Sequence, residues 1–424
     1  MFISKRSFLN CMLGILAIWL PIKTQAGGIC LYEISSANTR LASAGWSARA
    51  DDPSTVFTNP AGMTRLCGPQ LEANGEAIFG RVRFEPNSKT HVRGSTGRAN
   101  IWLPSGSFFY THPCKENLTL GIGSLGYFGS DLVYNHGWVG RYYVQKALLE
   151  GLSLVPAAAY KINKHWSVGA GVNIMYGFMK QRAAVHNVLD NQRDGYFNLH
   201  DCHYGFGGVF GILYEPCCTT RFGVQYLSQV RLSFHAIPKF SNIGPILREF
   251  LIDKGIIGSS INLHINVPQT FMFSVYHELN PCWTIMCNIG WQEWSNFERV
   301  TVSLADLNNT TISSKIKYQD TWHGAIGIEW HYTRNITLSS GLAYDSSAIS
   351  TKQRPLDFPI GSQWRFGSGA RWNIRENLIL DLSSEFQWVG NLKANVNKPI
   401  AGRVSGTFKN TYVFFMSSGI KYLF

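Results

Sequence analysis

Apolar and polar residues alternate with a period of two along most of the chain, from about Gln70 to the C terminus. Residues two positions apart share a face of a β-strand, so this alternation predicts strands. The final segment shows it clearly, with Ser417, Gly419 and Lys421 on its polar face. The opposite face of that segment carries Tyr412, Phe414, Met416, Ile420, Tyr422 and Phe424.

The polar faces of these segments are built mostly from glycine, serine and asparagine. Gly169, Gly171 and Asn173 alternate with Val172 and Ile174, for example. A soluble β-sandwich buries its apolar face and carries many charges on the other. Small polar residues opposite an apolar face are typical of a barrel whose apolar side meets lipid. The sequence therefore predicts an all-β protein, a transmembrane antiparallel β-barrel.

The connections between the segments alternate between short and long. The count is about 14 strands, an even number as bacterial barrels require, and such barrels place short turns in the periplasm. Phe424 supplies the terminal aromatic typical of outer-membrane barrels. Short turns are predicted near 112–116, 163–165, 215–219, 280–282, 333–335 and 375–377, and long loops at 85–98, 130–150, 183–199, 236–267, 303–311, 346–360 and 391–402.

The first 26 residues have the features of a signal peptide. Lys5 and Arg6 precede an apolar core, Phe8–Leu20, and Thr24–Ala26 forms a small-residue cleavage site. We therefore predict a signal peptide at 1–26, an N-terminal hatch (a plug inside the lumen) at 27–68 and the barrel at 69–424. A signal peptide followed by a transmembrane β-barrel predicts that the protein is located in the outer membrane of a Gram-negative cell.

Composition excludes several other classes. The chain has 424 residues, of which 45% are apolar and 15% charged, which argues against disorder. The longest apolar run, Cys11–Leu20, is too short to cross a bilayer as a helix. The net charge is +12, and +9 without Lys5, Arg6 and Lys23. This excess is spread along the chain without a dense basic run, which argues against nucleic acid and favours an anionic lipid surface or ligand.

Eight cysteines follow the signal peptide, and none of them forms a C-x-x-C pair. No metal or cofactor is expected. Export permits disulfides, and Cys30 with Cys67 could staple the N-terminal segment, although the sequence fixes no pairing.

Several runs resemble the FadL/TodX family of outer-membrane channels for long-chain fatty acids and other hydrophobic compounds. The chain departs from the family in a shortened loop near 183–199 and in its additional cysteines. The runs that carry the resemblance are Asn38–Gly45, Ala50–Leu66, Trp294–Phe297, Gly341–Asp345 and Gly419–Phe424.

The resemblance implies a fourteen-strand barrel plugged by a hatch, acting as a monomer surrounded by outer-membrane lipid. A hydrophobic ligand would be captured at an apolar groove between extracellular loops, would pass to a lumen pocket, and would leave sideways past a kinked strand. No covalent chemistry is implied, so the protein is not expected to be an enzyme. The open alternatives are a non-specific porin, a surface structural or adhesin barrel, and a barrel phospholipase, for which no convincing serine partner of His277 exists.

Two groups of residues are candidates for binding ligand. Leu247, Phe250 and Leu251 lie on one face of a short predicted helix in the loop 236–267, and an exposed apolar patch of this kind either binds ligand or packs against other loops. A ligand carboxylate needs a cation in the lumen. Strand parity points Lys315, Lys317, His323, Arg365 and Arg371 inward, and of these Lys317 and Arg365 are the candidates for binding ligand. The alternative for each cation is pairing with Glu329, Asp381 or Glu385.

The gate is predicted from a turn and three glycines. Asn59, Pro60 and Ala61 form a defined turn that we expect to lie against the kink of the third strand. Within that strand, Gly121, Gly123 and Gly126 could permit an inward kink, because glycine in a strand marks a bulge or a close approach. The alternative is that they only form a small-residue face.

Overall fold

Alternating side chains and short turns close the chain into an antiparallel barrel of fourteen long strands. This computed structural model describes residues 30–187, 190, 192–297, 300–302, 313–398 and 401–424. The predicted signal peptide and the predicted loop 303–311 lie outside these residues. The strands are β1 (Gln70–Pro86), β2 (Gly97–Lys115), β3 (Leu118–Val133), β4 (Lys146–Lys161), β5 (Trp166–Val185), β6 (Gly195–Cys217), β7 (Thr220–Leu227), β8 (Val230–Ala236), β9 (Lys239–Ser241), β10 (Ile261–Val267), β11 (Thr270–Asn280), β12 (Trp283–Gln292), β13 (Val300–Val302), β14 (Ser313–Lys315), β15 (Thr321–His331), β16 (Ile336–Asp345), β17 (Gln363–Arg375), β18 (Leu378–Lys398) and β19 (Gly402–Leu423).

The barrel consists of β1–β7, β11, β12 and β15–β19, each pairing with its neighbours in the wall. It closes where β1 meets β19, in a register that places Gln70 opposite Leu423. The remaining strands form two small two-stranded sheets, β8 with β10 and β13 with β14, and the short β9 extends the edge of β6. The all-β, fourteen-strand prediction is therefore confirmed.

The predicted short turns and those predicted long loops that fall on described residues lie between barrel strands, but the predicted loop 236–267 also contains β9 and β10. Short turns join β2 to β3, β4 to β5, β6 to β7, β11 to β12, β15 to β16 and β17 to β18, and longer connections occupy the other rim. The longest described connection, between β7 and β11, holds helix α3 (Pro245–Asp253), as the apolar pattern there predicted. None of the described helices is long and apolar enough to cross a membrane.

Exposed aromatic side chains form two girdles on the outer wall. Trp166, Trp330 and Trp372 lie at the rim of short turns, and Trp322 and Trp364 lie near the opposite rim. Trp and Tyr prefer membrane–water interfaces, so the girdles mark the membrane-facing band. Following the rule for outer-membrane barrels, we call the short-turn rim periplasmic and the opposite rim extracellular.

The N-terminal segment fills the lumen. Nearly all residues from 30 to 66 are buried, in short helices α1 (Ser36–Arg40) and α2 (Thr55–Thr58) and the 3₁₀ helix Pro60–Arg65. Four wall glycines lie so close to the hatch that a constructed Cβ would be within 2.4 Å of its backbone atoms, namely Gly169, Gly223, Gly341 and Gly367. A Cβ on Gly341 would lie 1.9 Å from the Leu41 carbonyl oxygen. Glycine on the lumen face therefore makes room for the hatch backbone.

Candidate functional site

An apolar cavity of about 130 Å³ lies between the hatch and the barrel wall. Cys30 and Leu31 of the hatch form one side, and Phe358–Ile360 contributes from the loop before β17. Its polar lining comes from Ser130, Asp131, Gln363, Arg365, Gln387 and Thr411. The remaining apolar lining comes from Ile78, Val82, Ile101, Leu103, Leu132, Val389, Val413 and Phe415.

Arg365 is held by carboxylates from both the wall and the hatch. Its Nε donates to Asp345 Oδ2 at 2.6 Å and its Nη1 lies 3.3 Å from Glu385 Oε1, while Nη1 also contacts Glu33 of the hatch. The guanidinium also stands over the Tyr32 ring, 5.0 Å from its centroid. The predicted inward direction of Arg365 is confirmed, and the cation is paired with protein carboxylates, one of them Glu385.

Lys317 does not share this position. It lies in the segment 316–320, before the ladder of β15 begins at Thr321, and its side chain is exposed. The prediction that it points into the lumen is wrong, because strand parity holds only where the ladder is regular. The same parity is correct within β15, where His323 is buried and its Nδ1 lies 2.7 Å from Asp345 Oδ1.

The wall is interrupted beside the cavity, between β2 and β3. Their continuous pairing runs from Lys115 opposite Leu118 only as far as Ser107 opposite Leu125. Among the described residues, two isolated bridges, Ala99 with Tyr134 and Ser95 with Trp138, link the segments that continue these strands towards the extracellular rim. The cavity-lining residues Ile101, Leu103 and 129–132 come from these unpaired halves. The cavity therefore adjoins an opening in the ladder.

The third strand is irregular at the edge of this opening. Its pairing with β4 shifts register between Gly126 and Phe128. The hatch takes the place of the missing neighbour, because Leu31 N donates to Tyr127 O at 2.8 Å and Cys30 bridges to Phe128. The glycine-rich strand thus carries a bulge, and the hatch lies against it.

The three predicted gate glycines differ in their surroundings. A Cβ on Gly121 would come within 2.5 Å of Met63 Sδ, and one on Gly123 within 2.7 Å of the Phe109 ring. Gly126 is less crowded, with Ser105 Oγ at 3.3 Å from the same constructed position. The absence of a side chain at Gly121 therefore leaves room for Met63 of the hatch, whereas Gly126 lies next to the register shift in the β3–β4 pairing.

The Asn59–Pro60–Ala61 turn lies elsewhere than predicted. Asn59 Nδ2 donates to Ser47 O at 2.6 Å and to Ile212 O in β6 at 3.0 Å, and Asn59 Oδ1 accepts from Ala61 N. Pro60 stands against Gly169 of β5. The expected contact with the β3 kink is therefore wrong. Val56 and Met63 lie against the glycines of β3 instead. Asn59 is held away from β3 because it caps the 3₁₀ helix and its side-chain amide donates to β6.

Buried ion pairs fix the hatch to the opposite wall. Arg40 Nη2 bonds Glu329 Oε1 at 2.8 Å, and its Nη1 lies 3.3 Å from Asp381 Oδ1. Arg371 Nη1 bonds Asp51 Oδ2 at 2.9 Å. Because a buried charge without its partner is costly, these contacts specify where the hatch lies.

Asp51 lies at the centre of a cluster of cations. Burial opposes its charge, but Arg49, Arg371 and Lys421 together hold its pKa well below the ordinary value of 3.8. Lys421 Nζ also donates to Asp51 O at 3.0 Å. This part of the hatch therefore stays ionised at neutral pH.

The three predicted capture residues all lie on the loop helix α3, but they differ in solvent exposure. Leu251 is fully buried, Leu247 is half-buried, and the Phe250 ring is exposed. Asp190 caps the helix, accepting from Ile246 N at 3.0 Å and Leu247 N at 3.2 Å. Leu251 is therefore a packing residue, while Phe250 belongs to an exposed apolar surface with Ile246 and Ile252.

Some residues of this site were not anticipated from sequence. Glu33 and Asp345 pair with Arg365 but come from other parts of the chain, the hatch and β16, and no local pattern links them to it. The role of β2 was also missed, because only the glycines of β3 gave a signal. Cys30 is buried and Cys67 is exposed, and both are free thiols, so the suggested staple between them is not present.

A closed antiparallel barrel with an internal hatch, aromatic girdles and an apolar cavity defines a plugged outer-membrane transport channel. The family model described as outer membrane protein transport protein (OMPP1/FadL/TodX) matches residues 18–424. The chain belongs to this family, whose members are transport channels and not enzymes, and it is an outer-membrane protein.

Curated relatives and solved structures agree with this assignment. The long-chain fatty acid transport protein of Escherichia coli O6:H1 is 24% identical, over 90% of this chain and 91% of its own. Outer membrane protein P1 of Haemophilus influenzae is 23% identical, over 84% and 85% respectively. A Pseudomonas aeruginosa FadL homologue has the same fold, with a TM-score of 0.81 and 19% identity over 94% of this chain and 100% of that one. The Pseudomonas putida toluene transporter TodX aligns with a TM-score of 0.66 and 13% identity, over 94% and 99%.

Proposed function

We propose that this protein takes up long-chain fatty acids or other hydrophobic small molecules, which enter the lumen cavity and leave sideways between β2 and β3. The observation that carries the proposal is the position of the apolar cavity beside the interrupted ladder. Relatives named for long-chain fatty acid and toluene transport support this class of ligand. A hydrophobic molecule leaving by this route would enter lipid without crossing the periplasmic end of the lumen.

Capture begins, in this proposal, at the exposed apolar surface of the β7–β11 loop. Ile246, Phe250 and Ile252 remain exposed on α3, and Ile237 is exposed nearby in the chain. Leaving such area in water costs about 25 cal/mol per Å², so covering it with an acyl chain or an aromatic ring is favourable. The ligand-binding roles of Phe250 and Leu247 are part of this step, with Leu251 supporting the helix from below.

The hatch must shift for a ligand to occupy the cavity. The present volume of about 130 Å³ is similar to that of a cavity of about 150 Å³ that holds one benzene molecule, too little for a long acyl chain. Cys30 and Leu31 both line the cavity and bond the free edge of β3. Moving this segment would enlarge the cavity and uncover the opening at once.

A ligand carboxylate would drive that shift by replacing Glu33 on Arg365. Arg365 lines the cavity, and Glu33 is the only one of its three carboxylate partners that belongs to the hatch. Exchange of one carboxylate for another preserves a charge-assisted bond in the lumen while freeing the N-terminal segment. Arg365 is therefore still proposed to bind the ligand carboxylate, whereas Lys317 is no longer proposed as a ligand-binding residue.

The route is tested by filling the cavity. Replacing Leu103 by tryptophan places a larger ring in the lumen beside the opening, where Leu103 now lines the cavity. We expect surface binding of a labelled fatty acid to whole cells to persist and its uptake to fall at least about tenfold. The matched control is Val172→Trp, on the lipid-facing side of β5.

Normal uptake by an assembled Leu103→Trp barrel would exclude this cavity from the route. The porin alternative is separated by conductance, since a plugged transporter should show no steady large pore in a planar bilayer. The matched variants are compared after heat-modifiability has shown equal assembly.

A further inference from the structure

The excess positive charge comes mainly from two stretches of the sequence, which meet at one place on the folded barrel. Residues 80–100 carry five Lys or Arg and one acid, and residues 391–410 carry four Lys or Arg and no acid. These two stretches thus account for a net +8 of the +9 borne by residues 27–424. The rest of that chain is close to neutral, so the expectation of an evenly spread excess is wrong.

The two stretches are neighbours in space. They form the extracellular ends of β18, β19, β1 and β2, four consecutive strands of the wall, with the loops that join them. We call their outward-facing cations the basic rim patch. It consists of Arg81, Arg83, Arg98, Lys393, Arg403 and Lys409.

The basic rim patch lies directly beyond the aromatic girdle. Phe79 and Trp102 are opposite each other on the lipid-facing wall, with ring centroids 4.6 Å apart. Arg81 follows Phe79 by two residues on the same face of β1, and Arg83 by four, so they stand about 7 and 13 Å farther along the strand. This is the level at which lipid headgroups meet the wall.

The patch has too few acids to neutralise it. Glu85 is its one acid, and it is shared between Arg83, at 3.3 Å, and Lys409. Arg83 is directly opposite Arg98 in the register of β1 and β2. Like charges opposite each other destabilise a sheet, and no described carboxylate pairs with the side chains of Arg81, Arg98 or Lys393. An external anion would relieve this repulsion.

We propose that the basic rim patch binds the phosphorylated headgroup of an outer-leaflet membrane lipid. Arginine pairs phosphate through two parallel hydrogen bonds, and juxtamembrane cations attract anionic lipid strongly. The position beside the girdle selects a lipid over a soluble anion, because acyl chains would lie on Phe79 and Trp102 below the bound phosphate. This binding is independent of hydrophobic-ligand uptake through the lumen.

The test uses the full-length barrel in phosphatidylcholine nanodiscs that contain a small fraction of bis-phosphorylated lipid A. Native mass spectrometry measures the lipid A that remains bound, with the dephosphorylated lipid in a parallel sample. The test variant is Arg83→Gln/Arg98→Gln/Lys409→Gln. Lys115→Gln/Lys164→Gln/Arg375→Gln removes the same charge from exposed positions on the periplasmic rim.

Wild type and the periplasmic control should retain phosphorylated lipid A at least about tenfold more than the test variant does, and dephosphorylated lipid A should be retained weakly by all three. Equal retention by the test variant, or equal retention of the dephosphorylated lipid, would overturn the proposal. Displacement of the lipid by millimolar inorganic phosphate would show a site for soluble anions and would also overturn it.

Discussion

Arg40 of the hatch and Glu329 of β15 form a buried ion pair, with Nη2 and Oε1 2.8 Å apart. Asp381 and Ser339 complete the surroundings of the guanidinium, so one hatch residue binds β15, β16 and β18. A hatch held by side-chain contacts of this kind can be loosened without breaking the hydrogen-bond ladder of the barrel.

Arg40→Ala should therefore open the lumen without unfolding the wall. Removing one partner leaves Glu329 buried without its cation, at a cost of about 3–5 kcal/mol. We expect a larger single-channel conductance in planar bilayers and unchanged heat-modifiability. Arg375→Gln, at an exposed position, is the control. A sealed Arg40→Ala channel would mean that this pair does not hold the hatch.

Glu33→Gln should strengthen binding of a fatty acid but not of the corresponding alcohol. The substitution removes the hatch carboxylate that occupies Arg365 and so lowers competition for a ligand carboxylate. A charge-assisted bond contributes about 1.5–3 kcal/mol, which sets the upper bound on the gain. Isothermal titration in detergent measures both ligands. Glu72→Gln, a buried carboxylate bonded to Asn74, is the control, and an equal gain for the alcohol would reject carboxylate exchange.

Gly341→Ala should displace the hatch although it adds only one methyl group. The new Cβ would lie 1.9 Å from Leu41 O, and backbone at that distance must move. Gly324, on the lipid-facing side of the adjacent strand β15, has no heavy atom within 4 Å of the same constructed position, so Gly324→Ala is the control. Protease accessibility of the hatch should rise in Gly341→Ala alone. Equal protection of both variants would contradict close packing here.

Asn59→Ala should loosen the 3₁₀ helix and its contact with β6. The amide donates to Ser47 O and Ile212 O, and two buried carbonyls would lose their donor. We expect the hatch to lose about 1–3 kcal/mol of stability and the assembled barrel to show impaired uptake.

Gly126→Val, beside the register shift of β3, should impair uptake with the hatch contacts intact. Transport at the normal rate by both variants would remove the turn and the strand from the gate.

The hatch seal should be insensitive to pH from neutrality down to about pH 4. Asp51 has a lowered pKa in the folded protein, so its stabilising contacts are fully present above the ordinary value of 3.8 and are lost only as the pH falls towards the lowered one. Conductance recorded between pH 7 and pH 3 measures this. Opening between pH 7 and pH 5 would show that another group controls the seal.

The strands and turns of this protein were determined by the sequence alone. Period-two alternation acts between residues two apart, and proline- and asparagine-containing turns act over a few residues, so the fourteen barrel strands and their short connections are local consequences. The small strands β9 and β10, inside a predicted loop, were not predicted. Lumen-facing Arg365 and Arg371 followed from the same parity. The predicted inward direction of Lys317 was wrong, because side chains alternate between the two faces only within a hydrogen-bonded strand and Lys317 lies before β15 begins.

Only the tertiary structure decided which groups meet in the lumen. Glu33 and Arg365 are separated by most of the chain, and barrel closure and hatch insertion bring them into contact. The missing β2–β3 pairing also depends on the tertiary structure. The alternation within a strand predicts which face is apolar, but it does not predict how far along its length the strand pairs with its neighbour. The basic rim patch has the same origin, because β1 and β19, the two ends of the barrel, become adjacent only on closure.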